Sequence, residues 1–118
     1  MKAIAVAAIL ASTPAMAADG WTLHSKFGNT VHVVLIDEGR VKDEALYRSV
    51  ADGLCGRVSS PVCKVAFWKR GDDAPKAFPM TDRQASTQLA DYGRNARTGH
   101  AAMLWSCPRF AKPKSECF

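Results

Sequence analysis

The amino-acid sequence predicts an α/β fold: a single small domain with the element order β-β-α-β-α-β, a four-stranded mixed sheet, two helices and two disulfides. Short apolar runs typical of strands alternate with two stretches of helical periodicity. No repeat, low-complexity tract or linker divides residues 18–118. About 100 residues are enough for one hydrophobic core, and the hydrophobic content of 47% is typical of a folded globule.

The first two strands are predicted to form a hairpin. Residues 21–26 alternate between apolar and polar side chains, which indicates a half-buried edge strand. Gly28 and Asn29 then provide a tight connection. Residues 30–36 are almost continuously apolar, which is typical of a strand covered on both faces. We expect the first strand to be antiparallel, and the pattern leaves open whether the two helices share one face of the sheet.

A helix over residues 42–54 follows, because Leu46, Val50 and Leu54 recur at four-residue spacing. Residues 63–69 carry the β-branched and aromatic side chains of a third strand, and residues 71–79 are a polar, proline-containing loop.

The second helix is predicted to begin at a capping box formed by Thr81 and Gln84. It should run to about Asn95 and lead to a final strand over residues 101–106. Two successive strand–helix–strand crossovers would make the later strands parallel. The apolar side of this helix would consist of Ala85, Leu89, Tyr92 and Ala96.

The amino terminus has the features of a secretory signal peptide. Lys2 precedes an apolar run over residues 3–11, and residues 15–17 (Ala-Met-Ala) fit the cleavage pattern. We therefore expect cleavage after Ala17 and a mature domain of residues 18–118 in the periplasm or outside the cell. The apolar run is shorter than the roughly 20 residues needed to span a bilayer, so no transmembrane segment is expected in the mature chain.

Four cysteines remain in the mature chain, and an oxidising compartment tends to pair all of them. Of the three possible connectivities we favour Cys55–Cys63 and Cys107–Cys117, because each pair closes a short polar loop. The alternative is a metal or redox site. Zinc and thioredoxin-like sites use C-x2-C spacings, whereas the separations here are eight and ten residues.

The charge of the mature chain is mildly basic. Without Lys2 it has 15 basic and 11 acidic side chains, a formal charge of +4. That balance favours attraction to an acidic envelope polymer or to another envelope protein. No nucleic-acid motif accompanies the basic residues, and no cofactor or metal motif is present in the sequence, so we expect neither a nucleic-acid partner nor a cofactor.

The predicted topology suggests one candidate site. Ligands of sheets with parallel crossovers bind beyond the carboxyl ends of the strands. Polar residues also end strands simply because they enter solvent, and the two tryptophans there could equally fill the core. The candidate residues at those ends are Asp37, Glu38, Trp68, Lys69, Arg70, Asp72 and Trp105.

The favoured function is a non-catalytic binding module that contacts another envelope protein. An inhibitor or immunity-type protein is one version, with residues 56–62 or 70–78 as the inserted loop, since pre-ordered loops lose less entropy on binding. A small envelope hydrolase that uses Asp37, Glu38 or His100 is the second hypothesis, although no G-x-S-x-G nucleophile elbow is present. Binding of anionic envelope polymers is the third.

Overall fold

Residues 19–118, which the computed structural model describes, form one mixed sheet of five strands with two α-helices. The predicted signal peptide and its cleavage site lie outside the described residues. The helices are α1 (Glu44–Cys55) and α2 (Asp82–Thr87), and short 3-10 turns cover Glu38–Arg40 and Lys114–Glu116. The strands, in their order across the sheet, are β1 (Trp21–Phe27), β2 (Val31–Ile36), β3 (Val62–Lys69), β4 (Ala90–Asn95) and β5 (His100–Trp105).

The first half of the predicted topology is confirmed. Strands β1 and β2 form an antiparallel hairpin, with a bulge at His24. The crossover through α1 makes β3 parallel to β2. Helix α1 starts where Asp43 accepts the backbone N–H of Leu46, and its buried positions have the spacing of an amphipathic helix.

The second half of the predicted topology is wrong: residues 19–118 contain five strands, not four, and the second crossover is absent from them. The capping box at Thr81 and Gln84 is present, but α2 ends at Thr87 because Gln88 adopts an extended backbone with ψ 134°. The chain then forms β4, antiparallel to β3, and β5, antiparallel to β4. The backbone groups on the far edge of β3 are thereby paired, which a longer helix could not have done.

Helix α1 covers one face of the sheet, called here the helix face. Tyr47 is its central residue, and its ring lies 5.0 Å from that of Phe67, 5.1 Å from that of Trp105 and 6.0 Å from that of Phe110. These contacts bring the carboxyl-terminal tail, β3, β5 and α1 into one core. The sheet residues of this core are Val34, Ile36, Cys63, Val65, Phe67, Ala90, Met103 and Trp105.

The opposite face of the sheet, the loop face, is covered by residues 70–88 rather than by a long helix. Nε1 of Trp68 donates a hydrogen bond to the carbonyl oxygen of Gln84 at 2.8 Å, which ties α2 to the sheet. The rings of Phe27 and Phe78 pack edge to face at 4.8 Å. The cover on both faces of β2 is thus supplied by α1 on one side and by the loop with α2 on the other.

Both predicted disulfides are confirmed. Cys55–Cys63 joins the end of α1 to the start of β3, and Cys107–Cys117 ties the tail beside β5. Within residues 19–118 no helix has the length and apolar character to cross a membrane.

Candidate functional site

The carboxyl ends of β2, β3 and β5 lie at one edge of the sheet, called here the carboxyl edge. Strand β4 is antiparallel to both of its neighbours, so β5 points in the same direction as β2 and β3. The residues that follow these strands therefore lie at the same edge of the sheet, although the topology that brings β5 there was not predicted. The carboxyl edge consists of residues 37–42, 69–72, 89 and 106–110.

Asp37 and Arg70 are bound to each other at this edge. Nη2 of Arg70 lies 2.7 Å from Oδ1 of Asp37, and its Nε donates to the same oxygen at 2.8 Å. The guanidinium also donates to the hydroxyl of Thr22 at 3.3 Å. Both charged groups are partly exposed, so the pair contributes about 0–1 kcal/mol to stability. It links the residues that follow β2 and β3.

Lys69 and Glu38 are only loosely associated. Their charged atoms are 3.9 Å apart, and the Glu38 side chain is 82% exposed. Since an exposed pair at that distance gains little Coulomb energy in water, the ammonium group of Lys69 remains available to a ligand.

The two tryptophans do not lie on the surface. Trp68 and Trp105 are both fully buried, Trp68 under the loop and Trp105 in the core of the helix face. Cations of Arg48 and Lys112 lie 5.7 and 5.3 Å from the Trp105 ring. Both indoles are core residues, so they are removed from the candidate site.

A cavity of about 280 Å³ opens at the carboxyl edge. Three cations and two carboxylates surround it, so its lining is net positive. Sequence reasoning found Glu38, Lys69 and Asp72 but missed Lys42 and Arg109, because neither follows a strand directly. The lining residues are Glu38, Val41, Lys42, Lys69, Asp72, Leu89 and Arg109.

Lys42 and Arg109 are held beside each other without being neutralised. Nζ of Lys42 donates to the backbone carbonyl of Arg109, and Nη1 of Arg109 donates to the carbonyl of Thr87 at 3.3 Å. The next residue, Phe110, is buried in the core. Neither cation takes part in an ion pair within the described part of the chain. The two positive charges are therefore fixed beside each other, and neither has an ion-pair partner in the described part of the chain.

The residues of the hydrolase hypothesis are not brought together. Asp37 and Glu38 lie at the carboxyl edge, whereas His100 begins β5 at the other end of the sheet. Five residue steps along β5 correspond to roughly 17 Å, too far for shared contact with one substrate atom. Asp37, Glu38 and His100 do not form one catalytic site.

Sequence reasoning also missed an apolar groove of about 310 Å³ on the loop face. Phe78, at the end of the 70–78 loop, lines it and is 43% exposed. Val31 and Ala66 line it from the sheet, and the Lys64–Asp91 ion pair, 3.2 Å long, belongs to its lining. The only sequence signal for this groove was the predicted exposed loop.

Among residues 19–118, no group of three or more His, Cys, Asp or Glu side chains is arranged to hold a metal ion. Comparison of the chain with models of protein families, with curated proteins and with solved structures gave no significant match.

Proposed function

We propose that residues 18–118, exported after removal of the leader, form a non-catalytic module that binds another envelope protein at the carboxyl edge. The observation that carries this proposal is the pair of uncompensated cations, Lys42 and Arg109, beside Lys69 at the mouth of a cavity. A partner that presents Asp or Glu side chains complements this surface. The two disulfides support export, because an oxidising compartment favours their formation.

Rigidity supports a role in binding. Arg109 lies inside the loop that the Cys107–Cys117 disulfide closes, and the neighbouring Phe110 is anchored against Trp105, 4.9 Å between ring centroids. A loop that is ordered before binding loses less conformational entropy when the complex forms. Arg109 can thus meet an acidic partner without a large ordering cost.

Electrostatics support the same role. The mature chain is basic overall, which raises the rate of encounter with an acidic protein. The Lys42 and Arg109 charges are exposed, so salt should weaken the complex. Among the three functions that the sequence left open, a protein-binding module agrees best with a net positive, rigid cavity mouth.

The proposal is tested by affinity capture with the mature, oxidised protein from the envelope of its own cell. We expect one protein to be retained by the wild type, to be released by rising salt, and to be lost with the K42E/R109E double variant. The matched control is K76E/R83E, which makes the same charge change at exposed positions on the loop face. It should retain the partner.

Three outcomes would overturn the proposal. They are failure of the wild type to retain any protein, equal retention by K42E/R109E, and loss of the partner in both charge variants. A third variant, F78S, separates the two surfaces. If F78S loses the partner while K42E/R109E retains it, the contact surface is the apolar groove and not the carboxyl edge.

A further inference from the structure

A second cavity lies on the helix face, at the end of the sheet opposite the carboxyl edge. It encloses about 270 Å³ between the end of β1, the start of β2 and the segment that follows α1. Its polar lining contains no carboxylate and consists of Lys26, Asn29, His32, Arg57 and Ser59. Leu54 and Val58 are among its apolar residues.

The cations of this cavity are uncompensated. Neither Lys26 nor Arg57 forms an ion pair with any residue of the described part of the chain. Two positive charges beside a concave surface without a carboxylate in its lining attract an anionic group. The guanidinium of Arg57 can also bind two oxygens of a carboxylate or phosphate at once.

The carboxyl end of α1 repels an anion less strongly than a helix end with unbonded carbonyl groups would. Its last carbonyl groups are already occupied: that of Cys55 accepts from Nη2 of Arg94 at 2.9 Å and from the backbone N–H of Val58 at 3.2 Å. The backbone N–H of Arg57 is bonded to Leu54 at 3.2 Å. These bonds also fix the segment that carries Arg57, and the Cys55–Cys63 disulfide closes the same loop.

His32 adds an acceptor that an inorganic anion would not need. It is only 3% exposed, yet it lines the cavity. Its Nδ1 lies 3.2 Å from the carbonyl oxygen of Lys64, and a carbonyl can only accept, so Nδ1 carries the proton. Nε2 is then left to accept a hydrogen bond, and it fits a ligand hydroxyl.

From these features we infer that the second cavity binds a saccharide unit that carries a carboxylate or a phosphate. Lys26 and Arg57 bind the anionic group, Nε2 of His32 accepts from a ring hydroxyl, and Leu54 with Val58 contacts the C–H surface of the ring. The volume is at the small end of ligand pockets, which suits one sugar unit rather than a large cofactor. This site is separate from the carboxyl edge and does not depend on the protein partner proposed there.

The test is a calorimetric titration of the mature, oxidised protein with four probes: trigalacturonic acid, glucose 1-phosphate, maltotriose and inorganic phosphate. We expect at least one of the two acidic sugars to bind, and which of them does so separates a uronic acid from a sugar phosphate. Maltotriose should not bind, and inorganic phosphate should bind at least about tenfold more weakly.

Variants connect the binding to the cavity. K26Q and R57Q should each weaken the acidic sugar about tenfold, as expected for loss of one charge-assisted contact. The matched control K76Q, which removes one exposed charge on the loop face, should bind like the wild type. Because His32 is buried and its replacement could prevent folding, its role is read in the wild type by ¹⁵N NMR. The Nε2 resonance should shift on sugar binding more than that of Nδ1.

Several results would overturn the inference. The first is that neither acidic sugar binds. The second is that maltotriose binds as well as the acidic sugars, and the third is that K26Q and R57Q bind like the wild type. Equal binding of inorganic phosphate would show an adventitious ion only. An unshifted Nε2 resonance would remove the hydroxyl contact that distinguishes a sugar from a simple anion.

Discussion

At the scale of single residues, the hydroxyl of Tyr47 joins α1 to the turn that precedes it. The side chain is fully buried, and its hydroxyl donates to the carbonyl oxygen of Val41 at 2.7 Å. Burial raises the pKa of Tyr47 above its ordinary value, so the hydroxyl stays a donor at physiological pH. We predict that Y47F lowers the free energy of unfolding by about 1 kcal/mol, because the Val41 carbonyl loses its partner.

Chemical denaturation measures this loss. The control is Y92F, which removes the same group from a partly exposed tyrosine of β4 and should change stability less. An unfolding free energy of Y47F equal to that of the wild type would contradict the prediction.

The stability of the protein should also depend on pH through a single carboxyl group, that of Asp43. The Arg40 guanidinium, which donates to Oδ2 of Asp43 at 2.7 Å, holds the pKa of this carboxyl below its ordinary value of 3.8, and the N-cap bond from Leu46 acts in the same direction. The ionised form is therefore favoured by folding. Its stabilisation is present above the ordinary value and disappears as pH falls through the lower, folded value.

Comparison with D43N isolates this contribution, since asparagine keeps a capping oxygen but has no charge. We expect D43N to be less stable than the wild type at pH 6 and the difference to close as pH falls below the ordinary value of 3.8. Denaturation between acid and neutral pH measures it. E38Q, at a highly exposed carboxylate, is the control and should show little difference at any pH. A D43N difference that is independent of pH would exclude the charge as its cause.

At the scale of elements, the sequence was sufficient to predict the type of element where one periodicity dominated. It was insufficient where helical and strand periodicities coincided. The capping box fixed the start of α2, but Ala85, Leu89 and Tyr92 fit helical spacing only by coincidence. In β4 the alternating residues Ala90 and Tyr92 pack on the helix face. The strand contains Gly93 and no β-branched residue, so its propensity gives no signal. Pairing with β3 makes this segment a strand, and the local sequence does not contain the information on that pairing.

Substitutions at two glycines test the turn of the β4–β5 hairpin. Gly99 has φ +77°, a conformation that other residues adopt at a cost of about 1–2 kcal/mol, so G99A should destabilise the protein by about that amount. Gly93 lies in the strand itself, and nothing lies within 4 Å of an added Cβ there. G93A should be neutral or slightly stabilising. Thermal unfolding of both variants measures the contrast, and equal destabilisation would argue against this turn.

At the scale of the whole molecule, the edge that gathers the candidate residues followed from the predicted direction of the strands. Asp37 and Arg70 meet there because β2 and β3 are parallel, a relation that one helical crossover implies. The burial of Trp68 and Trp105 could not be predicted, since it depends on which faces of the sheet the loop and the tail cover. Lys42 and Arg109 were missed because neither follows a strand directly, and the packing of the tail beside Lys42 that brings them together is not encoded locally.

The two disulfides should therefore contribute differently to stability and to binding. In the chain-entropy relation, closed loops of these lengths each contribute about 2.5–3 kcal/mol. The C55A/C63A variant also leaves a void, because both cysteines are buried, so it should lose more stability than C107A/C117A. The second variant frees the loop that holds Arg109, so it should weaken capture of the envelope partner although the sheet remains folded. Denaturation and capture, measured on both variants and the wild type, test this division. If C107A/C117A retained the partner as well as the wild type, a pre-ordered Arg109 would not be required for binding.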